Sequence, residues 1–193
     1  MRHAREPTYS FVILTFVLIL VNTALAWISG KFVPAGTGGI SLVCIGVAFM
    51  ILFTLWFGAY GAIAAYVGTL LGSVLAMESF QRHPEIAIIW AVAGLLQVLI
   101  PLVAVRILQV DLRLKNRRDW TIILLFAVLI NNLVGAAWGA FTLSLLGPVN
   151  IAVAFSTLLA GNIIITILIV PLALRLLTEK VSRSKLFVKK YWD

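Results

Sequence analysis

The stretch Ile40 to Met77, which reads ISLVCIGVAFMILFTLWFGAYGAIAAYVGTLLGSVLAM, contains no charged residue. A helix rises about 1.5 Å per residue, so a bilayer core about 30 Å thick takes roughly 20 apolar residues. These 38 residues are therefore too many for one crossing and enough for two. Small residues between Trp56 and Gly61 mark the break, so we predict spans over residues 40–56 and 58–77.

Four further apolar stretches are long enough to cross a bilayer, and polar or Gly/Pro-containing segments separate them. They cover residues 11–27, 86–108, 120–146 and 151–174. The sequence thus predicts an all-α integral membrane protein with six transmembrane helices in one bundle. No tandem repeat or long linker divides the chain. We therefore predict a single membrane domain over residues 1–193, ending in a basic tail over residues 175–193.

The overall composition agrees with a membrane protein and excludes a soluble globule. Hydrophobic residues make up 62% of the chain and charged residues 11%, whereas soluble domains are about half apolar and about a quarter charged. The net charge of +8 would indicate nucleic-acid binding in a soluble protein. In a membrane protein it first indicates orientation, so we expect no nucleic-acid partner.

The positive charges fall almost entirely on one side of the predicted membrane. Of 15 Lys and Arg residues, only Lys31 and Arg82 lie on the other side when the N-terminus is cytoplasmic. Cytoplasmic segments carry an excess of Lys and Arg, so we predict that both termini are cytoplasmic. The alternative is a signal peptide cleaved near Ala24-Leu25-Ala26, which would leave five spans. The apolar run continues to Trp27, which disfavours cleavage.

Motifs for catalysis and metal binding are missing from the sequence. It contains no GxxxxGK[ST], HExxH or GxSxG pattern, and none of the six spans contains Asp or Glu. The histidines His3 and His83 fall on opposite sides of the membrane, and Cys44 is the single cysteine. We therefore expect no enzyme activity in this chain, no metal and no cofactor.

Amide side chains inside the spans are the main candidates for ligand contact. A buried amide must find a hydrogen-bond partner or face a cavity. The amides are Asn22, Gln97, Asn131, Asn132 and Asn162. We predict a ligand site formed by Asn131, Asn132, Trp138 and Asn162, with Gln97 and Trp90 as weaker candidates. The alternative is hydrogen bonding between helices with no ligand.

Three charged residues near the outer surface are candidates for a lid over the site. They are Lys31, Glu78 and Arg82, together with the glycine-containing loop over residues 31–39. The alternative is an ordinary solvated loop. On the cytoplasmic side, the basic residues Arg113 to Arg118 and Lys180 to Lys190 indicate contact with anionic membrane lipid. The alternative there is a cytoplasmic partner protein.

The region Val33 to Leu75 resembles the substrate-binding S components of energy-coupling factor (ECF) transporters. The resemblance lies in a Gly/Pro-rich loop after the first helix, a short FGxxGA turn at Phe57 to Ala62, and a glycine-spaced third helix. Six spans with cytoplasmic termini also match. The resemblance implies capture of a vitamin or similar micronutrient at a prokaryotic plasma membrane. Separate T and ATP-binding subunits would then topple the bundle and drive uptake.

Small residues at helical spacing allow two interpretations, close packing within the bundle or docking of a partner membrane protein. They form GxxxG pairs at Gly68 and Gly72 and at Gly135 and Gly139. S components often carry AxxxA on the first helix for docking to the T subunit. Here the nearest candidate is Ala26 to Gly30, which lies late in the helix.

A second resemblance is to membrane-embedded sensor domains of bacterial signalling enzymes. It lies in LWFGAYGAIAAYVGTLLGS, which begins at Leu55, and in AGNIIITILIVPLAL over Ala160 to Leu174. Those domains have an aspartate where this chain has Asn162, and an output domain follows them. Only a short basic tail follows here. A membrane sensor or scaffold without transport activity is therefore the alternative function.

Overall fold

The computed structural model describes residues 9–32 and 45–192, and that part of the chain is helical without any strand. The helices are α1 (Tyr9–Phe32), α2 (Ile45–Phe57), α3 (Ala59–Ala76), α4 (Glu78–Arg82), α5 (Pro84–Ile107), α6 (Arg117–Ile123), α7 (Asn131–Ser144) and α8 (Ile151–Val181). A π-helical segment, Leu124–Ile130, joins α6 to α7. These three therefore run as one continuous helix, Arg117–Ser144.

Five helices are long and apolar enough to cross a membrane, namely α1, α3, α5, the continuous helix Arg117–Ser144 and α8. The prediction of an all-α chain with several membrane-length helices is confirmed. The second predicted span corresponds to α2, which has 13 residues from Ile45 to Phe57. Residues 40–44 of that span lie outside the described residues, as do His3, Cys44 and residues 33–39 of the loop expected to cover the site.

The outward faces of α1 and α8 carry large apolar side chains. Phe16 and Leu20 on α1 are exposed, as are Leu168 and Leu172 on α8. Soluble proteins rarely expose contiguous apolar surface of this kind. In a bilayer the same surface contacts lipid tails, so exposure and helix length both indicate a membrane protein.

The last long helix has a polar start and extends further than its apolar sequence predicts. Asn150 precedes α8, and its Oδ1 accepts a hydrogen bond of 3.2 Å from the backbone N–H of Val153. Asparagine is favoured at this position because its side chain satisfies an otherwise free backbone donor. The helix then runs to Val181, past the end predicted at residue 174.

Close approach between α1 and α3 depends on small residues in both helices. A Cβ built on Gly72 would lie 2.5 Å from the Cβ of Ala26, and one built on Gly30 would lie 2.6 Å from the Cβ of Ala76. Gly68 also lies against α1. Such contacts let two helix backbones approach closely in lipid, where the hydrophobic effect does not bring helices together. These residues therefore pack α1 against α3 within the bundle, and docking of a partner at the same residues stays a prediction.

The C-terminal segment, residues 182–192, folds back over the turn between α2 and α3. The backbone N–H of Val188 donates to the carbonyl of Trp56 at 2.9 Å, and that of Ala59 donates to the carbonyl of Tyr191 at 2.9 Å. The Arg106 guanidinium donates to the carbonyl of Val188, also at 2.9 Å. The basic tail predicted as a lipid contact is thus held against the bundle by backbone hydrogen bonds and by the Arg106 side chain.

The turn beneath this segment requires glycine. Gly58 has a φ of 62°, a conformation that side chains disfavour. A Cβ built there would lie 2.5 Å from the carbonyl oxygen of Tyr191 and 2.8 Å from Val188. The break predicted between residues 56 and 58 is therefore also the place where the C-terminal segment docks.

The two ends of the bundle differ in charge. The basic end is formed by the α2–α3 turn, the loop over residues 108–116 and the C-terminal segment. Of the 13 Lys and Arg residues in the described part of the chain, all but Lys31 and Arg82 lie there. The opposite end is formed by the C-terminus of α1, by α4 and by residues 145–150.

Candidate ligand-binding site

A cavity of about 120 Å³ lies inside the half of the bundle that is remote from the basic end. Its walls come from the C-terminal halves of α1 and α3, from the N-terminal halves of α2 and α8, and from α5 and α7. Residues of six helices therefore line one space. Clefts between packed helices are common positions for small-molecule sites.

The walls of the cavity are mainly apolar, with a few polar side chains. The polar ones are Asn22, Ser29, Thr69, Ser73, Gln97 and Asn162. Trp90 supplies an aromatic surface. None of the described side chains that line the cavity is ionisable. A ligand here would meet hydrogen-bonding groups and apolar surface, without a charged partner.

The structure brings together only part of the predicted ligand site. Gln97, Trp90 and Asn162 line the cavity, whereas Asn131, Asn132 and Trp138 are not among its lining residues. Trp138 is half-buried between helices, and its Nε1–H donates to the carbonyl of Ile89 on α5 at 2.8 Å. The two asparagines lie deeper in the bundle, where both are fully buried.

Asn132 is the centre of a chain of hydrogen bonds, here called the polar relay, that ends at the cavity. The hydroxyl of Thr166 donates to the backbone carbonyl of Asn162 at 2.7 Å. The Asn132 Nδ2 donates to the Thr166 oxygen at 2.7 Å and to the carbonyl of Val128 at 2.7 Å. The Gln97 Nε2 then donates to the Asn132 Oδ1 at 3.1 Å.

The backbone carbonyls of Val128 and Asn162 fix the direction of every hydrogen bond in the polar relay, because a carbonyl oxygen can only accept. Both N–H groups of Asn132 are used, so its oxygen must face Gln97 and Gln97 must donate. The amide of Gln97 is therefore held in one orientation. Its Oε1 and its second N–H take no part in the relay and are available on a side chain that lines the cavity.

Glycines in α7 make room for this arrangement. A Cβ built on Gly135 would overlap the amide of Gln97, so that amide lies directly against the α7 backbone. A Cβ on Gly139 would lie 2.9 Å from Leu158 and 3.3 Å from the ring of Trp90. The second GxxxG pair thus packs α7 against α5 and α8 around the cavity.

Two buried asparagines have no hydrogen-bond partner among the described residues. Both amide atoms of Asn22, which is 4% exposed, are unsatisfied, and so are those of Asn131, which is 0% exposed. An unsatisfied buried polar group costs about 1–3 kcal/mol and calls for an explanation. Asn22 differs from Asn131 in lining the cavity. A ligand there would be able to satisfy it.

Both serine hydroxyls that line the cavity already donate hydrogen bonds to backbone carbonyls. Ser29 donates to the carbonyl of Leu25 at 2.8 Å, and Ser73 donates to the carbonyl of Leu70 at 3.0 Å. Each therefore presents only acceptor capacity to a ligand. The donors offered to a ligand by the polar lining residues come chiefly from the amides of Asn22, Gln97 and Asn162.

The predicted lid residues lie at the opposite end, near the cavity but not in its walls. Glu78 and Arg82 form an exposed ion pair one turn apart on α4. Such pairs contribute little to stability in water. Lys31 is exposed at the end of α1. Within the described residues, no cluster of His, Cys, Asp and Glu has the composition of a metal site.

Asn22 was not among the ligand residues predicted from the sequence, although it belongs to the set of amides inside the spans. Its position relative to the other candidates depends on how α1 packs against α3, which the sequence pattern alone does not provide. Thr166 was missed for the same reason.

No family model, curated protein or solved structure matches this chain.

Proposed function

We propose that this protein is the substrate-binding subunit of an ECF-type importer, which captures a vitamin or similar small micronutrient from outside. The observation that carries the proposal is a mainly apolar cavity lined by an unsatisfied buried amide, at the end of the bundle remote from most positive charges. A binding subunit needs such a site. Energy for uptake would come from separate ATP-binding subunits through a transmembrane T subunit.

The proposed topology has six spans, with α2 as the second, and the basic end in the cytoplasm. Positive charge is enriched on cytoplasmic segments, which supports this orientation. The cavity then lies in the half of the bundle nearer the outside of a prokaryotic plasma membrane, where a substrate arrives. Exposed basic residues of the C-terminal segment, such as Lys185 and Lys190, would contact anionic lipid headgroups on the cytoplasmic side.

Purification of the tagged full chain from its native membrane tests the proposed partners. We expect a transmembrane T subunit and ATP-binding subunits to co-purify, since this chain would depend on them for energy. Mass spectrometry of the eluted proteins identifies them. Co-purification with a kinase or cyclase in their place would contradict the importer and support the sensor alternative.

A further inference from the structure

Two of the three amides that line the cavity, Gln97 and Asn22, have orientations that are controlled in different ways. The polar relay fixes Gln97, whereas Asn22 has neither donor nor acceptor satisfied by the described residues. Asn22 is 4% exposed and lines the cavity. A ligand that satisfies Asn22 must therefore offer an acceptor for its N–H and a donor for its carbonyl oxygen.

We propose that the cavity binds an uncharged, single-ring molecule that carries a carboxamide or lactam group, and that Asn22 pairs with this group. The pairing uses two antiparallel hydrogen bonds, one from the Asn22 N–H to the ligand oxygen and one from the ligand N–H to the Asn22 oxygen. This inference rests on the proposed function, since it names the substrate chemistry of the same site.

The size of the cavity limits the ligand to about one ring. Its volume is about 120 Å³, and an engineered apolar cavity of about 150 Å³ binds benzene. Trp90 and the thioether of Met50 lie in the wall and provide surface for a ring to pack on.

The described residues that line the cavity include no ionisable group, which favours an uncharged ligand. Burying an unpaired charge costs far more than burying a hydrogen-bonded neutral group. The described walls provide no counter-ion for a carboxylate or an ammonium group. An acid or amine of the same shape as the ligand should therefore be excluded.

Three probes of similar shape test the proposal on the full chain in lipid nanodiscs, with calorimetry as the readout. Benzamide offers a donor and an acceptor, acetophenone offers only an acceptor, and benzoate is charged at neutral pH. We expect benzamide to bind roughly tenfold more tightly than acetophenone, because acetophenone leaves the Asn22 oxygen unpaired. We expect no measurable binding of benzoate.

Variants then assign the preference to Asn22. In Asn22→Leu, the ratio of the benzamide and acetophenone affinities should fall to about one. If leucine prevents folding, Asn22→Ala makes the same test. The melting temperature without probe should not fall in Asn22→Leu, since no hydrogen bond is lost. Asn131→Leu is the matched control: it removes another unpartnered buried amide that does not line the cavity, so the ratio should stay unchanged.

Several outcomes would overturn the inference. They are equal affinities for benzamide and acetophenone, no binding of benzamide, tightest binding of benzoate, or a preference that survives both Asn22 variants. These results are separate from the test of partner subunits. If importer subunits co-purify but the amide preference is missing, the proposed function stands and the ligand class is wrong.

Discussion

Asn132→Leu should reduce the stability of the bundle by about 2 kcal/mol, because it removes the centre of the polar relay. Asn132 is completely buried and joins α5 to α8 through Gln97 and Thr166. Leucine leaves the Gln97 amide without its partner in a region that water does not reach. Hydrogen bonds between membrane helices average about 0.6 kcal/mol, so most of this effect comes from the unpaired groups.

Unfolding of the full chain in mixed micelles by titration with a denaturing detergent measures this change. Asn131→Leu is again the matched control, since it makes the same substitution one residue earlier, where no hydrogen bond is lost. We expect that variant to be as stable as the original chain or more stable. Equal losses for both variants would contradict the polar relay. Affinity for benzamide should also fall in Asn132→Leu, since Gln97 is no longer held.

The largest loss of stability is expected for Gly72→Leu, at about 3 kcal/mol. A Cβ alone at this position would lie 2.5 Å from the Cβ of Ala26 and 2.8 Å from the carbonyl oxygen of Thr23. The second contact is with backbone, which cannot move aside by changing a rotamer. The α1 helix must therefore separate from α3, and the cavity wall that contains Asn22 and Ala26 moves with it.

The same unfolding titration measures the effect of Gly72→Leu, and benzamide binding reports on the cavity wall. Ala160→Leu on α8 is the control, because Ala160 is exposed and a longer apolar side chain there would face lipid. It should change neither stability nor binding. A Gly72→Leu chain with unchanged stability and binding would show that α1 does not pack on α3 in this way.

Hydropathy alone predicted the apolar helices well, because membrane-spanning helices require long apolar runs. It did not predict which side chains of one helix contact those of another. Asn131 and Asn132 are adjacent in sequence, yet among the described residues Asn131 has no hydrogen-bond partner and Asn132 makes three hydrogen bonds. Adjacent helical residues point about 100° apart, so the packing of neighbouring helices determines which amide finds partners.

The C-terminal segment shows a second limit of sequence analysis. Its lysines indicate a basic cytoplasmic tail that contacts anionic lipid, and yet Val188 in the same segment is fully buried. The segment is held by backbone groups of Val188 and Tyr191, which bond to the α2–α3 turn. These backbone hydrogen bonds leave no side-chain pattern in the C-terminal segment itself, although the turn on which it docks requires Gly58.

Native mass spectrometry of the purified full chain, released from nanodiscs, tests most directly whether the cavity is a substrate site. We predict that the original chain carries a small uncharged molecule from its source membrane. The Asn131→Leu chain should retain that molecule, and the Asn22→Leu chain should lose it. An original chain that carries no small molecule, or an Asn22→Leu chain that retains it fully, would contradict the account.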